Sequence, residues 1–433
     1  YYASVGSQHQ AGIWKPTSQA RYNYSISIDA DVTKSTKVSF SLNGREQQNN
    51  APTVSTDRLF ELIHYASPIT PILFSNGESG AYVWNNVHNS GNAKTKTSQI
   101  YSQISIDQDL SFIKGLKLKG TLAFDPTLVR GKSFRTPSHL WSVDTTQTPY
   151  LFIDGIFEQT KPSLYQSMSY SNQFTYQGGL TYANTFGKSS FGGLILVESK
   201  KNNYEYFDAT RRNYNLTVDE LSMGSSTLAD ISNSGMSSNA KQLGFVYRVT
   251  YDYADKYLLE ASGRYDGSYY FAKNSRFGFF PAFSAGWRVS EENFLKQIHW
   301  IDNLKIRASY GQVGALAGAA FQYLNLYNIY GPAAVLDGQA VQAAIEGIES
   351  NPNITWERAN KTNIGLEATL WKGLIKLEAD YFLERRANML TSPTIVVPVE
   401  YGVSLSQVNA GKMQNQGIDL TISTSRRFNK NLH

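Results

Sequence analysis

The stretch "LIKLEADYFLE" (374–384) decides how the chain is read. Ile375, Leu377, Ala379, Tyr381 and Leu383 occupy alternate positions, and Lys376, Glu378 and Asp380 lie between them. Successive side chains of a strand point to opposite faces. A strand here carries one apolar face and one face with three charges, and two different surroundings must meet them.

The same alternation recurs. "RYNYSISIDADV" (21–32) sets Tyr22, Tyr24, Ile26, Ile28, Ala30 and Val32 against Arg21, Asn23, Ser25, Ser27, Asp29 and Asp31. "LKLKGTLAF" (116–124) sets Leu116, Leu118, Leu122 and Phe124 against Lys117, Lys119 and Thr121. "LGFVYRVTYDY" (243–253), "YLLEASGRY" (257–265), "NLKIRASYG" (303–311), "TNIGLEATL" (362–370) and "GIDLTIST" (417–424) repeat it. Such runs are the strongest strand signal in a single sequence, and about fourteen of them are present. Helical patterns are few: 53–66, 216–224 and 290–298. In the last, Ser290 followed by Glu291 and Glu292 predicts an N-cap with acids that suit the helix dipole.

The connections alternate in length. Short ones fall at 33–35, 113–115, 186–188, 254–256 and 371–373. Long polar ones fall at 50–96, 126–162, 206–238, 314–355 and 389–411, with 267–276 of intermediate length on the same side. In an up-and-down sheet alternate connections lie at opposite ends. The short turns therefore gather at one end and the long loops at the other.

Composition narrows the class. The 433 residues are 41% apolar, 13% aromatic and only 17% charged, against a usual charged share of about 25%. The 28 tyrosines favour strands. Net charge is +5, with basic residues dispersed, which argues against nucleic-acid binding. Absence of Cys excludes a disulfide scaffold, thiolate metal sites and a Cys nucleophile. No apolar run is long enough for a transmembrane helix. The opening "YYASVGSQHQ" lacks the features of a signal peptide, so any such leader is expected to be removed or to lie outside these residues.

Alternation alone also suits a soluble sandwich. Three features favour a membrane barrel. Many strands reach the roughly 9–11 residues a tilted membrane strand needs. The asymmetry of short turns and long loops is that of outer-membrane barrels. Aromatics mark strand ends: Tyr257 and Tyr265 share a face about 27 Å apart along the strand, and Trp371 and Tyr381 bracket a similar span. The apolar face of 374–384 is then expected to meet lipid, and Lys376, Glu378 and Asp380 a wet lumen. A cation at the lipid midplane costs about 2–4 kcal/mol, so the many strand charges must share one accessible face.

Two stretches resemble a known family. In "YLLEASGRYDGSYYFAKNSRFGFFPAFSAGWRVSEENFLK" (257–296) and "NLKIRASYGQVG" (303–314), the matching elements are Arg264-Tyr265-Asp266-Gly267-Ser268, Asn274, Arg276-Phe277-Gly278, Phe280-Pro281, Ser284-Ala285-Gly286-Trp287, Ser290-Glu291-Glu292 and Ser309-Tyr310-Gly311. In "NPNITWERANKTNIGLEATLWKGLIKLEADYF" (351–382) they are Asn351-Pro352, Trp356-Glu357, Asn363-Ile364-Gly365 and Asp380-Tyr381. These resemble the barrel of SusC/RagA-type TonB-dependent transporters, and residues 1–29 resemble its first barrel strands. The resemblance covers most of the chain and does not specify a substrate.

It implies a transmembrane antiparallel up-and-down β-barrel of about 22 strands in the Gram-negative outer membrane, of which about fourteen are here. It implies an N-terminal plug, a SusD-like surface lipoprotein as lid, and import of glycans or peptides powered by TonB with ExbB and ExbD. Residues 1–433 are accordingly read as a partial barrel domain, with the plug, the TonB-contacting segment and the C-terminal strands outside it. About fourteen strands cannot close such a barrel, and an open edge in lipid is not viable. "RRFNKNLH" (426–433) reads as a further short turn.

No enzymatic constellation emerges, and no cofactor is expected. "TFGKSS" (185–190) has Tyr182 where a P-loop needs Gly, and reads as a turn. His9, His64, His88, His139, His299 and His433 show no zinc spacing. Glu260, Asp266, Glu367, Glu378 and Asp380 are expected to pair with lumen cations such as Lys305 and Arg307 or with the plug. Cargo contacts belong on the long loops, where Tyr269, Tyr270, Phe271, Tyr323, Tyr327, Tyr330 and Trp356 could stack on sugars or hold peptides, or simply pack the loops. Three other functions fit the same pattern: a passive porin-like channel, a plugged carrier of siderophores or metal chelates, and a secreted glycan-binding β-protein.

Overall fold

The computed structural model describes residues 1–157 and 161–425. Its main sheet has 14 antiparallel strands. The first six are β1 (Tyr2–Ala11), β2 (Ser18–Asp31), β3 (Thr36–Ala51), β4 (Gly91–Asp109), β5 (Leu116–Arg135) and, after a loop hairpin of β6 (Ser138–Asp144) and β7 (Leu151–Phe157), β8 (Ser163–Phe186). There follow β9 (Ser189–Arg212), β10 (Ile231–Tyr253), β11 (Tyr257–Ser268), β12 (Phe277–Arg288) and β13 (Ile301–Ala315). A second loop hairpin, β14 (Tyr327–Leu336) and β15 (Gln339–Glu346), precedes β16 (Glu357–Leu370), β17 (Ile375–Thr391) and β18 (Val408–Thr424). Sheet order follows chain order once the two hairpins are set aside, so the sheet is an up-and-down meander. Among the described residues β1 and β18 are its ends.

Registers confirm the two faces. Ile306, Leu366, Ala379 and Leu420 lie in one row, and Arg307, Gly365, Asp380 and Asp419 lie in the next on the opposite face. The apolar face is bare: Ile195 is 65% exposed, Val249 57%, Phe283 55% and Ile364 52%. Large apolar side chains spread this widely over one face require an apolar medium. Rings border the face at both ends. Near the short turns Tyr253 stacks on Tyr257 with centroids 6.4 Å apart, and Trp300 on Trp371 at 5.6 Å. Toward the long loops Tyr265 stacks on Phe277 at 5.0 Å.

Short turns do gather at one end, with one exception: β12 and β13 are joined there by a longer connection, 289–300. The turn at 254–256 shows why three residues suffice. Ala254 and Asp255 take φ of 56° and 57°, and Lys256 N–H donates to the Tyr253 carbonyl, a geometry that matches strand twist. "TFGKSS" is likewise a tight turn, between β8 and β9.

Two expected helices do not form. Segment 216–224 holds only a 3₁₀ turn (Leu221–Met223), and 290–298 only one at Val289–Glu291. Glu292 of that segment is engaged elsewhere, as described below. The helix expected within 53–66 is present as α1 (Thr56–His64), where the Ser55 side chain caps the Arg58 N–H. A second helix, α2 (Tyr82–His88), was not expected. Several long connections are shorter than expected because β5, β9 and β10 run well beyond the apolar band. Among the described residues no helix is long and apolar enough to cross a membrane. Segment 426–433, read above as a turn, lies outside the described residues.

Candidate functional site: the charged face and the loop crown

The polar face is an ion-paired wall. Arg307 on β13 is its hub. Its Nε donates to Glu367 Oε1 at 2.8 Å, Nη1 to Asn363 Oδ1 at 3.0 Å, and Nη2 to Asp380 Oδ2 at 2.7 Å and Glu378 Oε1 at 3.0 Å. Lys305 lies 3.5 Å from Glu367. Gly365 makes this possible. A Cβ there would stand 2.6 Å from Asp380 Oδ1 and 2.7 Å from Arg307 Cζ, so only glycine lets the guanidinium cross β16 to β17.

A second node repeats the device. Arg264 grips Asp266 with two bonds of 2.9 Å and reaches Glu198 at 3.3 Å. Gly244 lies beneath, and a Cβ on it would be 2.7 Å from Arg264 Nη2. Lys200 closes on Glu198 at 3.2 Å, and Gln177 donates to it at 2.6 Å. Arg248 pairs with Glu260 at 2.7 Å. The acids singled out in the sequence thus pair with cations of their own sheet. Glu198 was missed. Its place in the alternation was visible, but its Arg264 partner lies 66 residues away.

Above the wall, at the loop end, Phe271, Phe280, Ile354 and Trp356 form a buried cluster flanked by Tyr270, Leu316 and Leu390. Trp356 meets Phe271 and Phe280 with centroids 5.3 Å away in each case, and its Nε1–H donates to the Arg276 carbonyl at 3.1 Å. Of the proposed platforms, Phe271 is 1% exposed and Trp356 7%, so these two rings are covered in this arrangement. Tyr269 contacts Tyr270 and Phe321 at its edge, and burial raises its phenol above the ordinary value. Tyr323 approaches Phe321 at 6.3 Å. Tyr327 and Tyr330, on β14, are the open ones. Asparagines lock the crown: Asn409 accepts from Thr355 N–H and donates to the Thr355 and Asn388 carbonyls, while Asn351 donates to the Gln407 carbonyl.

The remaining family-motif positions make packing and hydrogen-bond contacts. Glu357 accepts from Leu390 N–H at 2.7 Å. Gly267 leaves space for the Phe277 ring, Pro281 lies opposite Gly263, and Gly311 faces Ala282. Tyr310 on the apolar face donates to Asn360 at 3.4 Å. At the short-turn end Glu292 gathers Tyr257 OH at 2.6 Å, Lys256 at 3.2 Å and Trp287 Nε1 at 3.3 Å. The Tyr257 hydrogen bond first, then Lys256 and Trp287, hold its carboxyl below the ordinary value. No group of three or more His, Asp or Glu suited to a metal occurs among the described residues.

Residues 9–432 match the family described as TonB dependent receptor-like, beta-barrel. The chain is 25% identical over 432 residues to TonB-dependent receptor P39 of Formosa agariphila, covering 98% of this chain and 39% of that protein. It is 24% identical over 342 residues to TonB-dependent receptor SusC of Bacteroides thetaiotaomicron, covering 77% and 31%. The RagAB peptide transporter structure superposes with a TM-score of 0.80 at 19% identity, covering 99% of this chain and 47% of that one. The chain therefore spans less than half the length of each of these proteins. It belongs to the TonB-dependent receptor β-barrel family, whose members reside in the Gram-negative outer membrane.

Proposed function

We propose that this family member contributes the barrel wall of an active importer of nutrient oligomers, glycans or peptides. In this reading a SusD-like surface lipoprotein closes over the loop crown. Energy arrives from TonB, ExbB and ExbD through a plug outside these residues, and the remaining strands close the barrel. No catalytic role is assigned.

The observation that carries the reading is the charged face. Its ions are consumed in strand-to-strand pairs around Arg307 and Arg264, which leaves a stiff polar wall suited to passage of a polar cargo. Kinship to SusC, and the fold shared with RagAB, support the family role. The cargo contacts are placed on the crown, at Tyr327 and Tyr330 first, with Tyr269, Tyr270 and Tyr323 at its edge.

The test is purification of the full-length protein from outer membranes in mild detergent, with mass spectrometry of what accompanies it. A stoichiometric SusD-like lipoprotein is the expected result. A lone barrel would overturn the lidded reading in favour of a porin or chelate carrier. Recovery without detergent would favour the secreted β-protein.

A further inference from the structure

The outward face carries a pattern that neither ion pairing nor cargo passage explains. On β5 its residues run Leu116, Leu118, Leu122, Phe124 and Leu128, then Arg130 and Lys132. From Leu116 to Leu128 the strand climbs about 30 Å at barrel tilt, close to the height of the apolar band. The two cations follow at once. On β4 the outward residues Ile104 and Ile106 give way in the same manner to Lys96 and Lys94.

The register sets these cations against one another. Lys96 is directly opposite Arg130, and Lys94 is directly opposite Lys132. Two strands on, Lys201 on β9 faces Lys241 on β10, again outward and again above the apolar residues. Like charges directly opposite destabilise a sheet, and here three such pairs occur. Acid relief is partial. Glu46 approaches Lys96 at 3.8 Å, and Asp219 and Glu220 approach Lys132 at 3.1 and 3.3 Å. Lys94 and Arg130 are exposed and have no acidic partner among the described residues.

We infer that Lys94, Lys96, Arg130 and Lys132 form a binding site for the phosphate groups of an outer-leaflet glycolipid. Three facts converge on that occupant. The cluster is continuous with the lipid-facing apolar band. Its height is that of the headgroup layer. Its unneutralised charge is positive, and an arginine beside lysines is suited to phosphate. A headgroup seated there would offset the cross-strand repulsion and pin β4 and β5 to the leaflet. The inference rests on membrane residence and is independent of the cargo.

The experiment uses full-length protein in detergent micelles, with diphosphorylated lipid A as probe and native mass spectrometry as readout. The wild type should retain lipid A, and K94Q/K96Q/R130Q/K132Q should bind it about tenfold more weakly or worse. K117Q/K119Q, on the opposite face of β5, should bind as the wild type does. R130Q alone, a smaller perturbation, should show an intermediate loss. Each variant is first checked for heat-modifiable migration as a folded barrel. Equal retention by the quadruple variant, or equal retention of a dephosphorylated lipid A, would overturn the inference. So would full competition by inorganic phosphate at matched concentration, which would indicate a free-anion site.

Discussion

Arg307 on β13 reaches across the whole of β16 to bond Asp380 on β17 at 2.7 Å, passing over Gly365. One guanidinium thereby ties three strands together, and its removal leaves Glu367, Glu378 and Asp380 facing each other. Arg307→Gln should lower stability by about 1–2 kcal/mol, less than for a fully buried pair because the face is wet. Urea unfolding in detergent, followed by tryptophan emission, checks this.

Gly365→Ala should act on the same bond by displacing it. The cost of Gly365→Ala together with Arg307→Gln should fall at least about 0.5 kcal/mol short of the sum of the single costs. Strict additivity would show that Gly365 serves something other than the Arg307 crossing.

The crown cluster should be a local unit. Phe271→Ala removes a ring that is 1% exposed. It should cost about 3–5 kcal/mol of loop stability. Limited proteolysis of segment 314–356 should accelerate while barrel migration stays unchanged. Tyr330→Ala, at a 50% exposed position, should leave proteolysis unaltered. Together with Tyr327→Ala it should weaken cargo binding once a cargo is known.

Glu292 should make the 289–300 connection sensitive to acid. Its carboxyl is held below the ordinary value by Tyr257, Lys256 and Trp287. A depressed folded value contributes stability above the unfolded value, and that contribution is lost as pH falls through the folded one. Amide protection in 289–300, with exchange corrected for its intrinsic pH dependence, should therefore fall below about pH 4. Glu292→Gln should be less protected at neutral pH and lose most of that pH-dependent change.

Much was legible because it is local. Alternation at 374–384, 116–124 and 243–253 reports on neighbouring residues, and the alternation of short and long connections orders the strands. The helices expected at 216–224 and 290–298 failed for a reason the segment cannot show. Glu292 is captured by Tyr257 and Trp287, and the Lys132 contacts draw Asp219 and Glu220 toward β5. Trp356 and Phe271 read equally well as platforms or as packing, since an aromatic in a loop carries no mark of what covers it.

By itself the sequence determined the strand number of the main sheet (though not the two loop hairpins), the apolar and charged faces, the end at which the turns gather, and the family. Those are properties of periodicity and motif. The tertiary structure alone decided which charge meets which. Arg307 and Asp380 are 73 residues apart, and Arg264 and Glu198 are 66 apart. Only the register of intervening strands brings them together. The same register opposes Lys94 to Lys132 and Lys96 to Arg130. A slip of one residue would send every side chain of a strand to the other face.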